Sequence, residues 1–338
     1  MTTAAKTLNG PRLWLQALYT VPRVNTAEVD PISRWLVLGR VSVAVMSAIS
    51  ALIGAMLAAR DDVFDLPLAI LVFLGLVLAH TGSNLVNDYF DSRHGIDSED
   101  SPRVNYGPHP FSGEGQSMRE FVLVTVMVLA AAAAIGVYLV LASGIGVLAF
   151  ALTGAFLLLF YSGGPFPLKY IGLGEIAVFF IWGPLMIGGT YYVLAEELPT
   201  WVLLASVPYG LGVTTVLFGK HLDKLDFDKS KGIRTMPIVL GERNARYVTI
   251  VLAVLMYVTT VVLAAVEGMW LLLHAMAGLP LLWLMIKFYR SPKPAERPKG
   301  YRGWPLWFVG MAFIHNRRFG MLFLAGLAIQ PVADAYIL

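Results

Sequence analysis

Residues 66–91 read Leu66-Pro67-Leu68-Ala69-Ile70-Leu71-Val72-Phe73-Leu74-Gly75-Leu76-Val77-Leu78-Ala79-His80, then Thr81-Gly82-Ser83-Asn84-Leu85-Val86-Asn87-Asp88-Tyr89-Phe90-Asp91, an apolar run that turns polar only at its end. A helix needs about 20 mainly apolar residues to cross roughly 30 Å of hydrocarbon. Backbone in lipid must satisfy its own hydrogen bonds, so a block of that length without strand-like alternation is a helix. Working outward, blocks of the same kind lie at about 36–59, 66–87, 120–142, 144–162, 171–194, 200–219, 247–266, 268–288 and 319–338. Their sum predicts an all-α polytopic membrane protein with about nine transmembrane helices.

Composition and charge agree with that layout. The 338 residues are 57% hydrophobic and 14% charged, against about 25% charged in a soluble domain. Of the 25 basic residues, all but Arg60 fall on alternate loops or their boundaries, as the positive-inside rule requires with a cytoplasmic N-terminus. Asp61, Asp62, Asp65, Glu196, Glu197 and Glu267 fall opposite, and the C-terminus is expected outside. The chain reads as one transmembrane domain over 1–338. It has a cytoplasmic or interfacial segment at 1–34, two pseudo-repeated four-helix units at about 36–162 and 171–288, and the last span at about 319–338. Arg12–Leu18 reads as an interfacial helix, Ser291–Gly303 as a cytoplasmic linker, and Trp304–Ile314 as an amphipathic segment before the last span. The net charge of +3 follows from this topology and points to no nucleic-acid partner, and with no cysteine there is no disulfide or thiol chemistry.

Charge inside a membrane protein asks for a reason, and two clusters sit at inner ends of spans. In the first, Asn84, Asp88 and Asp91 share a helix face, with Asn87 beside them and Asp97, Glu99 and Asp100 beyond. Acids at a helix C-terminus oppose the macrodipole, so capping explains them poorly. Mg²⁺, which takes one or two carboxylates and completes its shell with water and phosphate oxygens, explains them better. The second cluster, Lys220 to Asp228, mixes the carboxylates of Asp223, Asp226 and Asp228 with Lys220 and Lys224. That mixture suits a metal diphosphate, with carboxylates on the metal and lysines on phosphate, although a positively charged inner loop reads similarly.

Four spans separate the clusters, so they are expected to face each other across a duplicated helical unit. Lys169, Arg93, Arg103 and Tyr161 are further candidates for the diphosphate. Arg93 and Arg103 flank the first acidic run, in a loop long enough to be a lid that closes over the diphosphate, and positive-inside anchoring explains them almost as well. Glu175, at the start of the fifth span, either handles the acceptor and its phenolic proton or caps a helix. His80 reads as a hydrogen-bonded core histidine, and His315, Asn316, Arg317 and Arg318 as interfacial anchors.

Three stretches carry a family resemblance. They are Asn87-Asp88-Tyr89-Phe90-Asp91 with Gly95 and Asp97; Asp228-Lys229-Ser230-Lys231-Gly232-Ile233-Arg234-Thr235-Met236-Pro237 with Leu240-Gly241; and Tyr161-Ser162-Gly163-Gly164-Pro165-Phe166-Pro167-Leu168-Lys169 through Glu175. Together they resemble the UbiA superfamily of membrane prenyltransferases over nearly the whole chain. The third stretch is most like the menaquinone-pathway branch, which prenylates 1,4-dihydroxy-2-naphthoate. The resemblance implies helices around a central cavity, Mg²⁺, an isoprenyl diphosphate and an aromatic acceptor as partners, and an active site near the cytoplasmic face of a prokaryotic-type cytoplasmic membrane. It further implies that an allylic cation attacks an electron-rich ring. The family's second motif carries two aspartates four residues apart; an ungapped match from Gly232 puts Lys224 at the first position and Asp228 at the second. Another phenol or a lipid alcohol as acceptor, an ion-coupled transporter and an inactive scaffold are the alternatives. Transporter sites, however, lie near the bilayer midplane, and these clusters lie at its edge.

Overall fold

The computed structural model describes residues 9–97, 101–103, 107–111, 117–301 and 303–336, and among these every regular element is a helix. Glu99 and Asp100 of the first acidic run lie outside the described residues. Short helices α1 (Pro11–Tyr19) and α2 (Pro31–Leu38) lead into α3 (Val41–Arg60), α4 (Leu66–Arg93), α5 (Met118–Ser143) and α6 (Gly146–Ser162). There follow α7 (Gly174–Ala195), α8 (Thr200–Asp223), the short α9 (Leu225–Ser230) and α10 (Met236–Leu240), then α11 (Glu242–Glu267), α12 (Trp270–Arg290) and α13 (Phe308–Tyr336). Seven of them, α3, α4, α5, α7, α8, α11 and α12, are long and apolar enough to cross a membrane, and α6 is a shorter apolar helix. Each expected span coincides with one of these seven, with α6 or with α13.

Helix α13 corrects one expectation. It begins at Phe308, so Trp304–Ile314 is no separate interfacial segment but runs into the last helix. The reason lies on α8, whose terminal Asp223 holds the first amides of α13.

Helix α4 shows how the sequence sets the site. Asp65 caps it by accepting a 2.8 Å hydrogen bond from the Leu68 amide, and Pro67 stands in its first turn, where its missing N–H is not needed. Its 28 residues reach about 42 Å at 1.5 Å each, beyond the ~30 Å of hydrocarbon. The surplus is about two turns, and these carry Asp88 and Asp91 out of the apolar layer while keeping them helical.

The centre of the bundle is α8. From Pro208 to Leu222 every residue except Lys220 is buried, against α7, α11 and α13. Helix α7 is interrupted by a wide turn over Ile181–Gly188, with Gly183 at φ −90°, ψ −105° and Pro184 inside. Proline supplies no amide and clashes with the carbonyl four residues earlier. Within this turn the Ser50 hydroxyl of α3 donates to the Trp182 carbonyl at 2.8 Å. Close approach of α3 and α7 depends on Gly54, where a Cβ would stand 2.5 Å from the Ile187 carbonyl oxygen. At the opposite extreme, α5 turns Leu123, Met127 and Leu141 outward, where only lipid would cover them. Arg60, the exception to the charge rule, pairs with Asp61 and Glu267 and lies over the Trp201 ring.

Candidate active site

The site grows from the last two turns of α4. Asp88 is fully buried and doubly paired, its Oδ1 2.8 Å from Arg40 Nη2 and its Oδ2 3.0 Å from Arg103 Nη2. Arg40 occupies the break between α2 and α3 in a left-handed conformation, φ 53° and ψ 46°, which costs a non-glycine residue roughly 1–2 kcal/mol. Two contacts with α4 hold that break: Arg40 Nη2 donates to the Asn84 carbonyl at 2.7 Å, and the Asn84 amide donates to the Gly39 carbonyl at 3.1 Å. Asn84, expected on a metal, therefore pins the break that presents Arg40.

One turn later, Asp91 accepts from Lys169 Nζ and from the Tyr170 hydroxyl, both at 2.6 Å, and from the Asn87 amide at 3.0 Å. The Asn87 carbonyl oxygen accepts from Ser162 Oγ at 2.6 Å. Lys169 is 1% exposed, held by a single 3-10 turn, Leu168–Ile171, that follows Pro167 and ends at Gly172 with φ 81°. The charge of Asp91 acts on the Tyr170 phenol together with burial, which is the larger cause, and the two push it far above its ordinary range.

Beyond the helix end, Asp97 accepts from Ser101 Oγ at 3.1 Å and meets His109 Nε2 at 3.0 Å. Burial alone would raise this carboxyl. The hydrogen bond and charge of His109, with the charges of Lys169 and Lys224, outweigh it and hold Asp97 well below the usual carboxylate range. One ligand atom each from Asp88, Asp97 and His109 lies within 4.8 Å of the others. The carboxylates of Asp88, Asp91 and Asp97 and the Asn87 carbonyl oxygen are hard oxygen donors of the kind Mg²⁺ takes, so this half fits a divalent ion; imidazole is the one donor foreign to it.

The second cluster departs from expectation. Helix α8 ends at Asp223, the helical conformation is interrupted at Lys224 (φ −111°, ψ 10°), and α9 starts at Leu225. Aspartates that would share a face on a continuous helix are thereby split three ways. Asp223 turns to α13, accepting from the amides of Trp307, Phe308 and Val309 at 2.9, 3.1 and 3.0 Å, with Lys293 Nζ 3.5 Å away. Unpaired amides at a helix start favour an anion, so this carboxylate serves as a cap instead of joining the cluster. Asp226 is exposed. Only Asp228 is fully buried and directed inward, its Oδ1 3.5 Å from Lys224 Nζ and neither oxygen hydrogen-bonded.

Around Asp228 the remaining candidates converge. Glu175 at the start of α7 meets His221 Nδ1 at 2.7 Å; both are buried, and Glu175 Oε2 and His221 Nε2 have no hydrogen-bond partner. The Tyr161 hydroxyl lies in the combined fields of Glu175, Asp91 and Asp228, and Lys220 in those of Lys169, Arg40 and Asp91, so the two clusters face each other. Arg103 does fold over the first motif. Arg93 does not, being exposed and without an ion pair among the described residues.

Arg40, Tyr170, Ser162, His109 and His221 were not expected here. Arg40 did carry a signal, a charge inside a predicted span, that charge alternation had absorbed. His315 and Asn316 correct another expectation: they are fully buried within the bundle, with the Tyr257 hydroxyl 2.9 Å from His315 Nε2. Gly212 makes room for Asn316, whose Oδ1 would be 2.2 Å from a Cβ there.

A model of the UbiA prenyltransferase family matches residues 47–328. The chain belongs to that family. It is 23% identical to the 1,4-dihydroxy-2-naphthoate octaprenyltransferase of Bacillus subtilis (strain 168), over 75% of this chain and 78% of that one. Its fold is like that of a UbiA homolog from Aeropyrum pernix K1, with a TM-score of 0.63 at 18% identity over 85% of this chain and 98% of that one. A UbiA homolog from Archaeoglobus fulgidus bound to GPP and Mg²⁺ gives a TM-score of 0.58 at 16% identity, over 87% of this chain and 99% of that one. The protein is thus a membrane prenyltransferase, and the transporter alternative falls away.

Proposed function

We propose that this UbiA-family enzyme transfers an isoprenyl chain from a polyprenyl diphosphate to 1,4-dihydroxy-2-naphthoate or a closely related aromatic acceptor, with Mg²⁺, at the cytoplasmic face. The observation that carries this reading is the doubly paired, fully buried Asp88 beside the Lys169–Asp91 pair at the polar end of the bundle. Buried carboxylates matched to fixed cations suit a ligand that brings both charges, because each pair can exchange partners with a metal diphosphate at little net cost in exposed charge. The acceptor assignment rests on the likeness to the naphthoate prenyltransferase of Bacillus subtilis and on the Tyr161–Glu175 stretch.

In this scheme Asn87, Asp88, Asp91 and Asp97 would hold Mg²⁺, which would supply positive charge opposite the diphosphate leaving group. Arg40, Arg103, Lys169, Lys220 and Lys224 take the phosphate oxygens. The allylic C–O bond breaks with its electron pair leaving on the diphosphate, and the prenyl cation adds to the ring carbon that bears the carboxylate. Loss of that group as CO₂ returns the electron pair to the ring. Glu175 and His221 orient the acceptor and hold its phenolic proton, and the face of Tyr161 shields the cation. Between α6 and α7 an apolar groove of about 470 Å³, lined by Leu168, Leu173, Ala177, Phe180 and Leu185 among others, offers the prenyl tail a dry path.

The test incubates purified protein in nanodiscs with radiolabelled geranylgeranyl diphosphate, 1,4-dihydroxy-2-naphthoate and Mg²⁺, against EDTA and Asp88→Ala controls. A prenylated, decarboxylated naphthoquinol lost in both controls is expected. Diphosphate release without that product points to another phenol or a lipid alcohol as acceptor. Neither release nor product from folded protein, across several prenyl lengths, overturns the reading in favour of an inactive scaffold.

A further inference from the structure

Two facing aspartate motifs suggest two metal ions, one on each. The side chains of the second motif do not fit a metal. Of its three carboxylates only one points inward, and that one already faces an ammonium instead of standing free for a divalent ion. Asp223 is committed to three backbone amides of the α13 start, Asp226 is exposed, and Asp228 alone is buried and inward. At 3.5 Å from Asp228 stands the ammonium of Lys224, 6% exposed. One turn earlier on α8, Lys220 has no hydrogen bond or ion pair among the described residues, and it lies within reach of the charges of Lys169, Arg40 and Asp91. Lys220, Lys224 and Lys293 line one cavity of about 150 Å³ together with Pro102, Asp223 and Leu306. A half-site whose one inward carboxylate is matched by an ammonium, with a second lysine beside it, offers little to a dication and suits an oxyanion.

We infer that the enzyme works with a single divalent ion, held by the first motif, and that Lys224 with Lys220 replaces a second metal as the fixed positive charge on the far side of the diphosphate. This rests on the proposed diphosphate-dependent transfer and deepens it. The helix break at Lys224 is part of the device. Lys224 and Asp228 stand i,i+4 across the first turn of α9, both buried, with the Asp228 carboxylate 3.5 Å from the Lys224 ammonium. Two consequences follow. Saturation with metal is non-cooperative in the presence of diphosphate, and binding of the diphosphate itself depends on both lysines.

The experiment counts Mn²⁺ by electron paramagnetic resonance on the full-length protein in nanodiscs, with geranyl thiolodiphosphate as an unreactive donor analogue. Binding of the analogue is followed separately by isothermal titration. The expected result is one Mn²⁺ per chain with no spin coupling between ions. The Lys224→Asp variant, which restores a carboxylate four residues before Asp228, is expected to take up a second Mn²⁺. Lys220→Met is expected to weaken analogue binding about tenfold while leaving the Mn²⁺ count at one. Two Mn²⁺ on the unmodified chain overturns the inference and leaves the diphosphate reading intact. A Lys224→Asp protein that melts at the unmodified temperature yet still binds one Mn²⁺ also overturns it, because the lysine would not then be what excludes the second ion. No analogue binding at any Mn²⁺ concentration fails the diphosphate reading itself, and the inference with it.

Discussion

Asp88 and Asp223 are both aspartates at the polar end of a long helix, and their surroundings give them different work. Asp88 balances two buried guanidinium groups. Removing one partner of a buried pair costs about 3–5 kcal/mol because the other is left uncompensated, so Asp88→Asn is expected to lower the melting temperature in detergent. If Asp88 holds the metal, product formation falls by roughly 100-fold or more as well; a variant that melts early but turns over normally would remove Asp88 from the chemistry. Asp223 holds the start of α13. Asp223→Ala is expected to lose about 1–2 kcal/mol, as caps do, with the Mg²⁺ concentration for half-maximal activity unchanged. A shift of that midpoint by severalfold would put Asp223 back on the metal. The first motif was legible from spacing because α4 runs unbroken through Arg93, so residues three and four apart do share a face. The second was misread in part because the same rule was applied across a break at Lys224, where i,i+3 spacing has no meaning.

Among elements, α3 and α7 approach closely, backbone against backbone, at Gly54. Gly54 lies 2.5 Å in Cβ terms from a carbonyl in the irregular turn of α7. Backbone cannot yield as a side-chain end can, so Gly54→Leu is expected to destabilise by about 1–3 kcal/mol, read as a lower melting temperature, whereas Gly136→Ala on α5, which meets nothing within 4 Å, is expected to be neutral. Equal melting of the two variants would show that the approach of α3 to α7 is not close. The wall between α6 and α7 makes a functional prediction. Ala177→Trp, which fills the apolar groove, is expected to reduce turnover of geranylgeranyl diphosphate more than that of geranyl diphosphate, measured as the ratio of initial rates. An unchanged ratio would place the prenyl tail elsewhere. The turn in α7 was not read from the sequence, although Gly183-Pro184 lies inside a predicted span, and that Ser50 of α3 meets the Trp182 carbonyl there follows only from packing.

The molecule as a whole carries its orientation in its charges, and having no cysteine makes that testable without background. Single cysteines placed at the exposed Lys229 and Glu196 are expected to react with a membrane-impermeant maleimide from opposite sides of intact cells: Glu196→Cys from outside, Lys229→Cys only after the inner face is opened. Labelling of both from one side would refute the odd number of spans. The order of the apolar helices, their apolar surfaces and the polar end where the first acidic motif lies were determined by the sequence alone, because crossing hydrocarbon constrains length, hydropathy and loop charge locally. Those constraints hold residue by residue and need no knowledge of neighbours. Tertiary structure alone decided which charges meet. Arg40 reaches Asp88 across 48 residues of sequence and Lys169 reaches Asp91 across 78, while Asp223 is drawn away by a helix 84 residues on. A buried charge must find its counter-charge or its backbone donors wherever the packed bundle brings them, and no local pattern records where that is.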